Sequence, residues 1–149
     1  EFGKSDYWVS YSWNDSKRNY RNFPVQATPH YVSDHNLSVV YKRFFTRLNS
    51  FVSATYSFAS GRPYFNPNNP VFMTDRTRSY NDISLGLTHI FYLFNKQTVA
   101  HLIVNNVCGF NKIYGYTYSK TPNSQGVYQS QSVTPPQKQM AVFLISFQL

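Results

Sequence analysis

The sequence predicts an all-β protein, an antiparallel up-and-down sheet of about six strands that belongs to a transmembrane β-barrel. Three observations support this fold class. Apolar and polar residues alternate with a period of two, the connections between these segments are alternately long and short, and the composition is unusual. Of the 149 residues, 19% are aromatic and only 13% are charged. An ordinary soluble surface is about 25–35% charged, so this composition predicts a surface that does not face water alone.

The first strand is predicted around residues 6–14, because apolar residues recur there at every second position. The positions between them are mostly small and polar, and the recurring apolar residues are Tyr7, Val9, Tyr11 and Trp13. Successive side chains of a strand point to opposite faces, so one face is apolar and the other polar. A helical period fails because Ser10 and Ser12 would interrupt any apolar stripe.

Four more segments repeat this pattern, and a fifth is less regular. The regular ones lie around 36–45, 50–60, 82–92 and 138–149. The remaining strand is assigned to about 98–118, which is rich in strand-forming residues although its apolar residues do not alternate. No apolar run approaches the roughly 20 residues of a spanning helix, which excludes a helical membrane protein.

The connections predict which end of the sheet each loop occupies. Short turns are expected near residues 46–49 and 95–97, and long connections near 19–34, 62–79 and 120–137. In an up-and-down sheet this order places every long loop at one end. Long extracellular loops and short periplasmic turns are typical of outer-membrane barrels. The outer face of such a barrel contacts lipid, and its first and last strands must pair so that no backbone group is left unpaired in hydrocarbon. A soluble β-sandwich also alternates and stays open as an alternative.

Charge and cysteine content add little evidence for other functions. The net charge is +8, but the basic residues are scattered in small groups, which does not favour a nucleic-acid partner. Cys108 is the one cysteine and is predicted to be a buried small apolar residue. A hairpin centred on Asn95 would place His89 opposite His101, a polar pair rather than a metal site. We expect no catalytic site, no metal and no cofactor.

Several segments resemble TonB-dependent outer-membrane receptors. Residues 34–39, Asp-His-Asn-Leu-Ser-Val, resemble an R-H-N-L strand start, and residues 56–64, Tyr-Ser-Phe-Ala-Ser-Gly-Arg-Pro-Tyr, resemble a Y-x-S-G-R-P-Y strand end. Residues 105–116 resemble the penultimate strand of that family, and residues 134–149 resemble the loop and last strand. The resemblance runs in colinear order over roughly residues 6–149.

The resemblance implies a barrel of 22 strands, of which this chain is the C-terminal six. It implies a location in the outer membrane of a Gram-negative bacterium, active transport of a scarce solute, and no enzymatic activity. The implied partners are the plug and earlier strands, the TonB complex, the barrel-assembly machinery and membrane lipid. It also implies a barrel-assembly signal of alternating residues, namely Phe143, Ile145, Phe147 and Leu149; Leu149 departs from the usual aromatic end.

If the chain is such a receptor, ligand contacts should come from the long loops and the inward wall. Arginine pairs with carboxylate or phosphate, and tyrosine stacks on rings. The candidate ligand-binding residues are Tyr31, Arg62, Tyr64, Arg76, Arg78, Tyr80, Tyr116 and Tyr128. A simpler interpretation is that these residues pack the loops and the interfacial girdle.

One alternative is a membrane protein that is not a receptor. A small outer-membrane barrel with a structural or adhesive role would need eight strands. The best places for two more strands are residues 65–77 and 126–133. Pro67 and Pro70 count against the first of them.

Overall fold

The computed structural model describes residues 5–23 and 25–147, which form twelve strands and no α-helix. The strands in chain order are β1 (Ser5–Trp13), β2 (Arg18–Asn19), β3 (Gln26–Ala27), β4 (His35–Phe45), β5 (Ser50–Ala59), β6 (Pro63–Tyr64), β7 (Asp75–Arg76), β8 (Tyr80–Leu93), β9 (Lys96–Asn105), β10 (Gly115–Tyr118), β11 (Ser130–Val133) and β12 (Met140–Phe147). The prediction of an all-β, antiparallel fold is confirmed. Within these ranges no helix has the length and apolar character needed to cross a membrane.

Six of the strands form one antiparallel sheet in the order β1-β4-β5-β8-β9-β12. Neighbours in the sheet are consecutive long strands of the chain, so the topology is up-and-down as predicted. The sheet is open, because in the described ranges β1 pairs only with β4 and β12 pairs only with β9. Long loops L1 (residues 14–34), L2 (60–79) and L3 (106–139) leave one end of the sheet, here called the loop end; the opposite end is called the turn end.

Two tight connections form the turn end. A single 3-10 turn, Thr46–Leu48, joins β4 to β5, and Asn49 follows it with a φ of 44°. Phe94 and Asn95 join β8 to β9, and both have positive φ, 50° and 59°. Two positive φ values in a two-residue loop are the signature of a hairpin turn whose twist matches that of the flanking strands.

The prediction that His89 lies opposite His101 is wrong, because the observed register of this hairpin differs from the predicted one by one residue. The hairpin is centred between Phe94 and Asn95 rather than on Asn95, so His89 lies opposite Ala100 and His101 lies opposite Thr88. A shift of one residue moves a side chain to the other face of the sheet. The two rings therefore lie on opposite faces, where His89 bonds with Ser50 and His101 bonds with Thr88.

The register gives the sheet one apolar face that is continuous across all six strands. Its members are Tyr7, Val9, Tyr11 and Trp13 on β1, Leu37, Val39 and Tyr41 on β4, Val52, Ala54, Tyr56 and Phe58 on β5, Ile83, Leu85 and Leu87 on β8, Ala100, Leu102 and Val104 on β9, and Ala141, Phe143, Ile145 and Phe147 on β12. Many of these side chains are well exposed, up to 79% at Tyr7.

The opposite face is polar toward the loop end. It includes Ser10, Ser12, Asn36, Ser38, Ser57, Asp82 and Asn105. Toward the turn end the same face carries Phe44, Phe51 and Leu144. Few hydrophobic side chains are buried. Val40 is buried on this second face of the sheet, at 7% exposure, and Val32, Met73 and Pro63 are buried in the loops.

The predicted strand over residues 98–118 is wrong in its second half. The sheet strand β9 ends at Asn105, and Asn106 turns the chain away from the sheet with a φ of 53°. Gly109 is also in the left-handed region, with a φ of 64°. Cys108 lies in this turn and is exposed, so the prediction of a buried cysteine is also wrong. The strand-forming segment 115–118 belongs to a separate ribbon with β11.

The two segments considered as extra barrel strands stay in the loops. Within residues 65–77 only β7 is extended, and it pairs with β6 inside L2. Within residues 126–133, β11 pairs with β10 inside L3. Neither segment joins the six-stranded sheet in the part of the chain that is described.

The last strand keeps its predicted alternation. Phe143, Ile145 and Phe147 share the apolar face and are exposed, while Leu149 lies outside the described residues. Met140, Val142 and Leu144 make the other face of β12 apolar as well.

Candidate functional site

The three long loops pack against one another at the loop end, so the shape of this region depends on contacts between segments distant in sequence. L1 contacts L2 through an ion pair in which the Asp34 carboxylate lies 2.6 Å from the Arg76 guanidinium. Arg76 also donates a hydrogen bond to the Gly61 carbonyl, at 3.1 Å. An aromatic cluster joins the same two loops, with members Tyr20, Phe23, Phe65 and Phe72.

L2 and L3 are held together by a reciprocal pair of hydrogen bonds. The Asn68 amide donates to the Tyr128 carbonyl and accepts from the Tyr128 N–H, each at 2.8 Å. The same two loops are also in contact through the rings of Tyr64 and Tyr116, which lie 4.8 Å apart between centroids. A side-chain amide that mimics a backbone pairing partner fixes both the position and the orientation of the facing strand segment.

L3 is also attached to the polar face of the sheet. The Lys112 ammonium donates a hydrogen bond to the Asp82 carboxylate and lies 5.0 Å from the centre of the Tyr80 ring. Burial alone would lower the pKa of Lys112, but its hydrogen bonds to Asp82 and Tyr80 raise that pKa above the ordinary lysine value. Lys112 therefore stays charged at neutral pH and anchors L3 over the end of the polar face.

Three adjoining cavities lie between the loops and the sheet. The loop cavity, about 420 Å³, lies among L1, L2 and L3 and is lined by residues that include Tyr20, His30, Arg62, Tyr64, Phe72, Tyr114 and Tyr116. The junction cavity, about 310 Å³, is lined by residues that include Ser57, Ala59, Arg62, Arg78, Tyr80 and Tyr114. The wall cavity, about 430 Å³, is lined by residues that include Tyr80, Asp82, Asn105, Lys112 and Tyr114.

Five of the eight predicted ligand-binding residues line these cavities. Arg62, Tyr64 and Tyr116 line the loop cavity, and Arg78 and Tyr80 join Arg62 around the junction cavity. Two hydrogen bonds bring the ends of L2 together: the Thr77 N–H donates to the Arg62 carbonyl, and the Arg62 N–H donates to the Thr77 hydroxyl. Tyr114 of L3 lines both cavities beside these two residues.

The other three predicted residues have structural contacts instead. Arg76 is engaged by Asp34, the backbone of Tyr128 is engaged by Asn68, and the Tyr31 ring lies 5.3 Å from the Arg18 guanidinium carbon. None of these three is among the residues that line the three cavities described above.

Tyr114 is the residue that sequence reasoning missed. It lines all three cavities and is 52% exposed. The sequence predicts its segment, Tyr-Gly-Tyr at 114–116, as the end of a sheet strand, whereas in the structure this segment lies in L3. The signal that could have found it is Gly109 followed by a short, second strand-forming run, a pattern typical of a loop ribbon.

Tyr64, which lies in L2, makes the stability of the folded protein depend on pH. Burial and a hydrogen bond with Tyr118 raise the pKa of Tyr64 to about 12 from the ordinary 10.0. The folded protein holds this proton more tightly than the unfolded chain, so its contribution to stability is complete below pH 10.0 and is lost as the pH rises toward 12. We expect the urea midpoint of the parent protein to fall more steeply over this range than that of Tyr64→Phe. Parallel pH profiles for the two proteins would contradict the assignment.

Gly61 is required by a close backbone approach at the base of L2. A Cβ at Gly61 would lie 2.0 Å from the Thr77 carbonyl oxygen, whereas a Cβ at Gly115 would meet nothing within 4 Å. We expect Gly61→Ala to lower the free energy of unfolding by about 1–3 kcal/mol, because the backbone must move. Gly115→Ala, the control, should stay within about 0.5 kcal/mol. Urea unfolding of both variants measures this, and equal effects would contradict it.

The described residues contain no group of three or more His, Cys, Asp or Glu side chains that could hold a metal ion. The candidate site is instead a set of three cavities between the loops and the sheet, lined by tyrosines, by the basic residues Arg62, Arg78 and Lys112, and in the wall cavity also by Asp82. Comparison with known proteins finds no matching family model, no matching curated protein and no matching solved structure.

Proposed function

We propose that this chain is the C-terminal six-stranded segment of the barrel of a TonB-dependent outer-membrane receptor, which imports a scarce solute. The observation that carries the proposal is the apolar face, which is continuous over six strands, while every long loop leaves the same end of the sheet. Such a face suits lipid, and an opposite face rich in serine suits a water-filled lumen.

The soluble sandwich accounts less well for the same face. A sandwich buries one face of each sheet against a second sheet. In the part of the chain described here, the other sheets are two-stranded ribbons that lie within the loops. Val9 and Phe143 are 63% and 62% exposed, where a sandwich would bury them. Lipid contact is the environment that makes these side chains favourable.

The small self-contained barrel is also less well supported. It needs two further strands in the sheet, and residues 65–77 and 126–133 form loop ribbons instead. In the receptor proposal the free edges of β1 and β12 pair with the other strands of the same barrel. The plug, the TonB complex and the barrel-assembly machinery are the remaining proposed partners, and the outer membrane is the proposed location.

The first test concerns location and size. The polypeptide that carries this chain should fractionate with the outer membrane, require detergent to stay monodisperse, and exceed the 17.4 kDa of this chain. A protein that is monodisperse without detergent would contradict the membrane proposal. A mass near 17.4 kDa in native membranes would contradict the receptor proposal and favour a small barrel.

The second test concerns transport and does not require a known ligand. Spent growth medium is compared among the parent strain, a strain lacking this protein and a strain lacking the TonB complex. We expect at least one solute that the parent removes to remain in the medium of both mutants. If the strain without this protein removes every solute that the parent removes, the transport proposal fails.

A further inference from the structure

We infer that the loop and junction cavities bind a small organic anion with a planar ring, its carboxylate on Arg62 and its ring against Tyr114. This inference rests on the proposed function, because it names the solute class that the loops would capture. The two cavities share Arg62, Thr77 and Tyr114, so they adjoin at these residues. Their volumes, about 420 and 310 Å³, are those of sites for small organic molecules.

The charge of the lining selects an anion. Arg62 lines both cavities and Arg78 lines the junction cavity, and no aspartate or glutamate is among the lining residues. Among the described residues, the ion pairs are Arg76 with Asp34 and Lys112 with Asp82, which leaves the guanidinium groups of Arg62 and Arg78 without a carboxylate partner. A metal cation would be repelled from this lining, whereas a planar carboxylate matches the two-pronged guanidinium.

Arg62 is held in place through its backbone, which leaves its guanidinium group available. The Arg62 N–H donates to the Thr77 hydroxyl at 3.0 Å, and the Arg62 carbonyl accepts from the Thr77 N–H at 2.9 Å. Thr77 is itself buried. An arginine fixed at its backbone loses less freedom when it binds a ligand, which favours affinity.

The aromatic residues select a ring. The Tyr64 and Tyr116 rings already contact each other, at 4.8 Å and 39° between their planes, and form a wall of the loop cavity. Tyr114 is half exposed and lines both cavities beside Arg62. A flat ring gains offset or edge-to-face contact with such residues, which a saturated ring of similar size does not. A neutral sugar would use this wall but leave the arginines unpaired.

The test uses three matched probes on the intact, detergent-purified polypeptide that carries this chain. They are 1-naphthoate, 1-naphthamide, which lacks the charge, and decahydro-1-naphthoate, which keeps both rings and the charge but is not aromatic. Titration calorimetry measures each affinity. We expect 1-naphthoate to bind at least tenfold more tightly than either of the other two. Equal affinity for 1-naphthoate and 1-naphthamide, or no binding of 1-naphthoate, would overturn the inference.

Matched variants assign the effect to the two residues. Arg62→Gln should weaken 1-naphthoate binding about 10- to 100-fold and leave 1-naphthamide unchanged. Arg47→Gln, which makes the same change at the turn end, should leave both unchanged. Tyr114→Ala should weaken 1-naphthoate and 1-naphthamide alike, whereas Tyr92→Ala at the turn end should weaken neither. Unchanged binding in Arg62→Gln would overturn the inference, and urea unfolding checks that each variant is folded.

The two proposals fail in different measurements. A protein that lies in the outer membrane and depends on TonB, but does not bind 1-naphthoate, refutes the ligand class and leaves the receptor proposal standing. A protein that binds 1-naphthoate with the expected dependence on Arg62, but shows no dependence on TonB, refutes the receptor proposal and leaves the binding site standing.

Discussion

Lysine in place of Val9 is expected to lower the stability of the protein in a bilayer by about 2–4 kcal/mol. Val9 lies at the centre of β1 on the apolar face, opposite Val39, and its side chain is 63% exposed. In water such an exposed position tolerates lysine with a change within about 0.5 kcal/mol. In hydrocarbon the ammonium group must be desolvated or reach the interface, which costs free energy. The loss of stability in Val9→Lys therefore tells whether the apolar face contacts lipid or water.

Ser10→Lys is the matched control because it makes the same charge change one residue along the same strand. Ser10 is exposed and points to the polar face, where it lies opposite Ser38. In the proposed barrel this face lines a wet lumen, so we expect Ser10→Lys to cost little in a bilayer. Reversible unfolding in urea from lipid vesicles measures both variants. Equal stability of the two lysine variants would exclude lipid contact at the apolar face.

Alanine in place of Asn106 is expected to unfold the base of L3, with a loss of about 2–4 kcal/mol in local stability. The Asn106 amide is almost fully buried, 1% exposed, and donates to the carbonyls of Phe110 and Lys138 at 2.9 and 2.8 Å. Its side-chain oxygen accepts from the Phe110 N–H at 2.9 Å. Alanine leaves these three groups unpaired and must adopt a φ of 53°, which strains a residue with a Cβ.

The control for this variant is Asn123→Ala in the same loop. The Asn123 side chain accepts from the N–H groups of Gln125 and Val127 at 3.0 and 2.9 Å, but it is exposed, so water can replace it. Its loss should cost less than about 1 kcal/mol. Limited proteolysis of the intact polypeptide measures both, and we expect cleavage within L3 to accelerate only for Asn106→Ala. Similar cleavage rates for the two variants would contradict the inference that the hydrogen bonds of Asn106 hold the base of L3 in place.

The sequence predicted those parts of the fold that depend on a local pattern, the alternation of apolar and polar residues along a single strand. Alternation in residues 6–14 and 138–149 is visible without any partner strand, and most of the described part of each segment is strand, in β1 and β12. The short turns at 46–49 and 95–97 follow from the boundaries of these strands. Because successive strands pair, the sheet order follows from the chain order.

The parts that sequence did not predict depend on single residues or distant contacts. One turn residue decided the register of His89 and His101, since the hairpin uses Phe94 as well as Asn95. The end of β9 depends on Asn106, whose partner Lys138 lies 32 residues away. Arginine and tyrosine in the loops could be chosen as candidates by chemistry, but only the packing of L1, L2 and L3 separates Arg62, which lines cavities, from Arg76, which is engaged by Asp34.

The sheet order also predicts the order in which the molecule folds. Two hairpins, β4 with β5 and β8 with β9, are closed by connections of a few residues, so their pairing costs little chain entropy. The other three pairings must first close L1, L2 or L3. Such non-local steps are slower, so we expect the two hairpins to form early. The remaining strand pairings would then form on the edges of these hairpins. The package of loops would then be the last region to become ordered, after the strands beneath it are aligned.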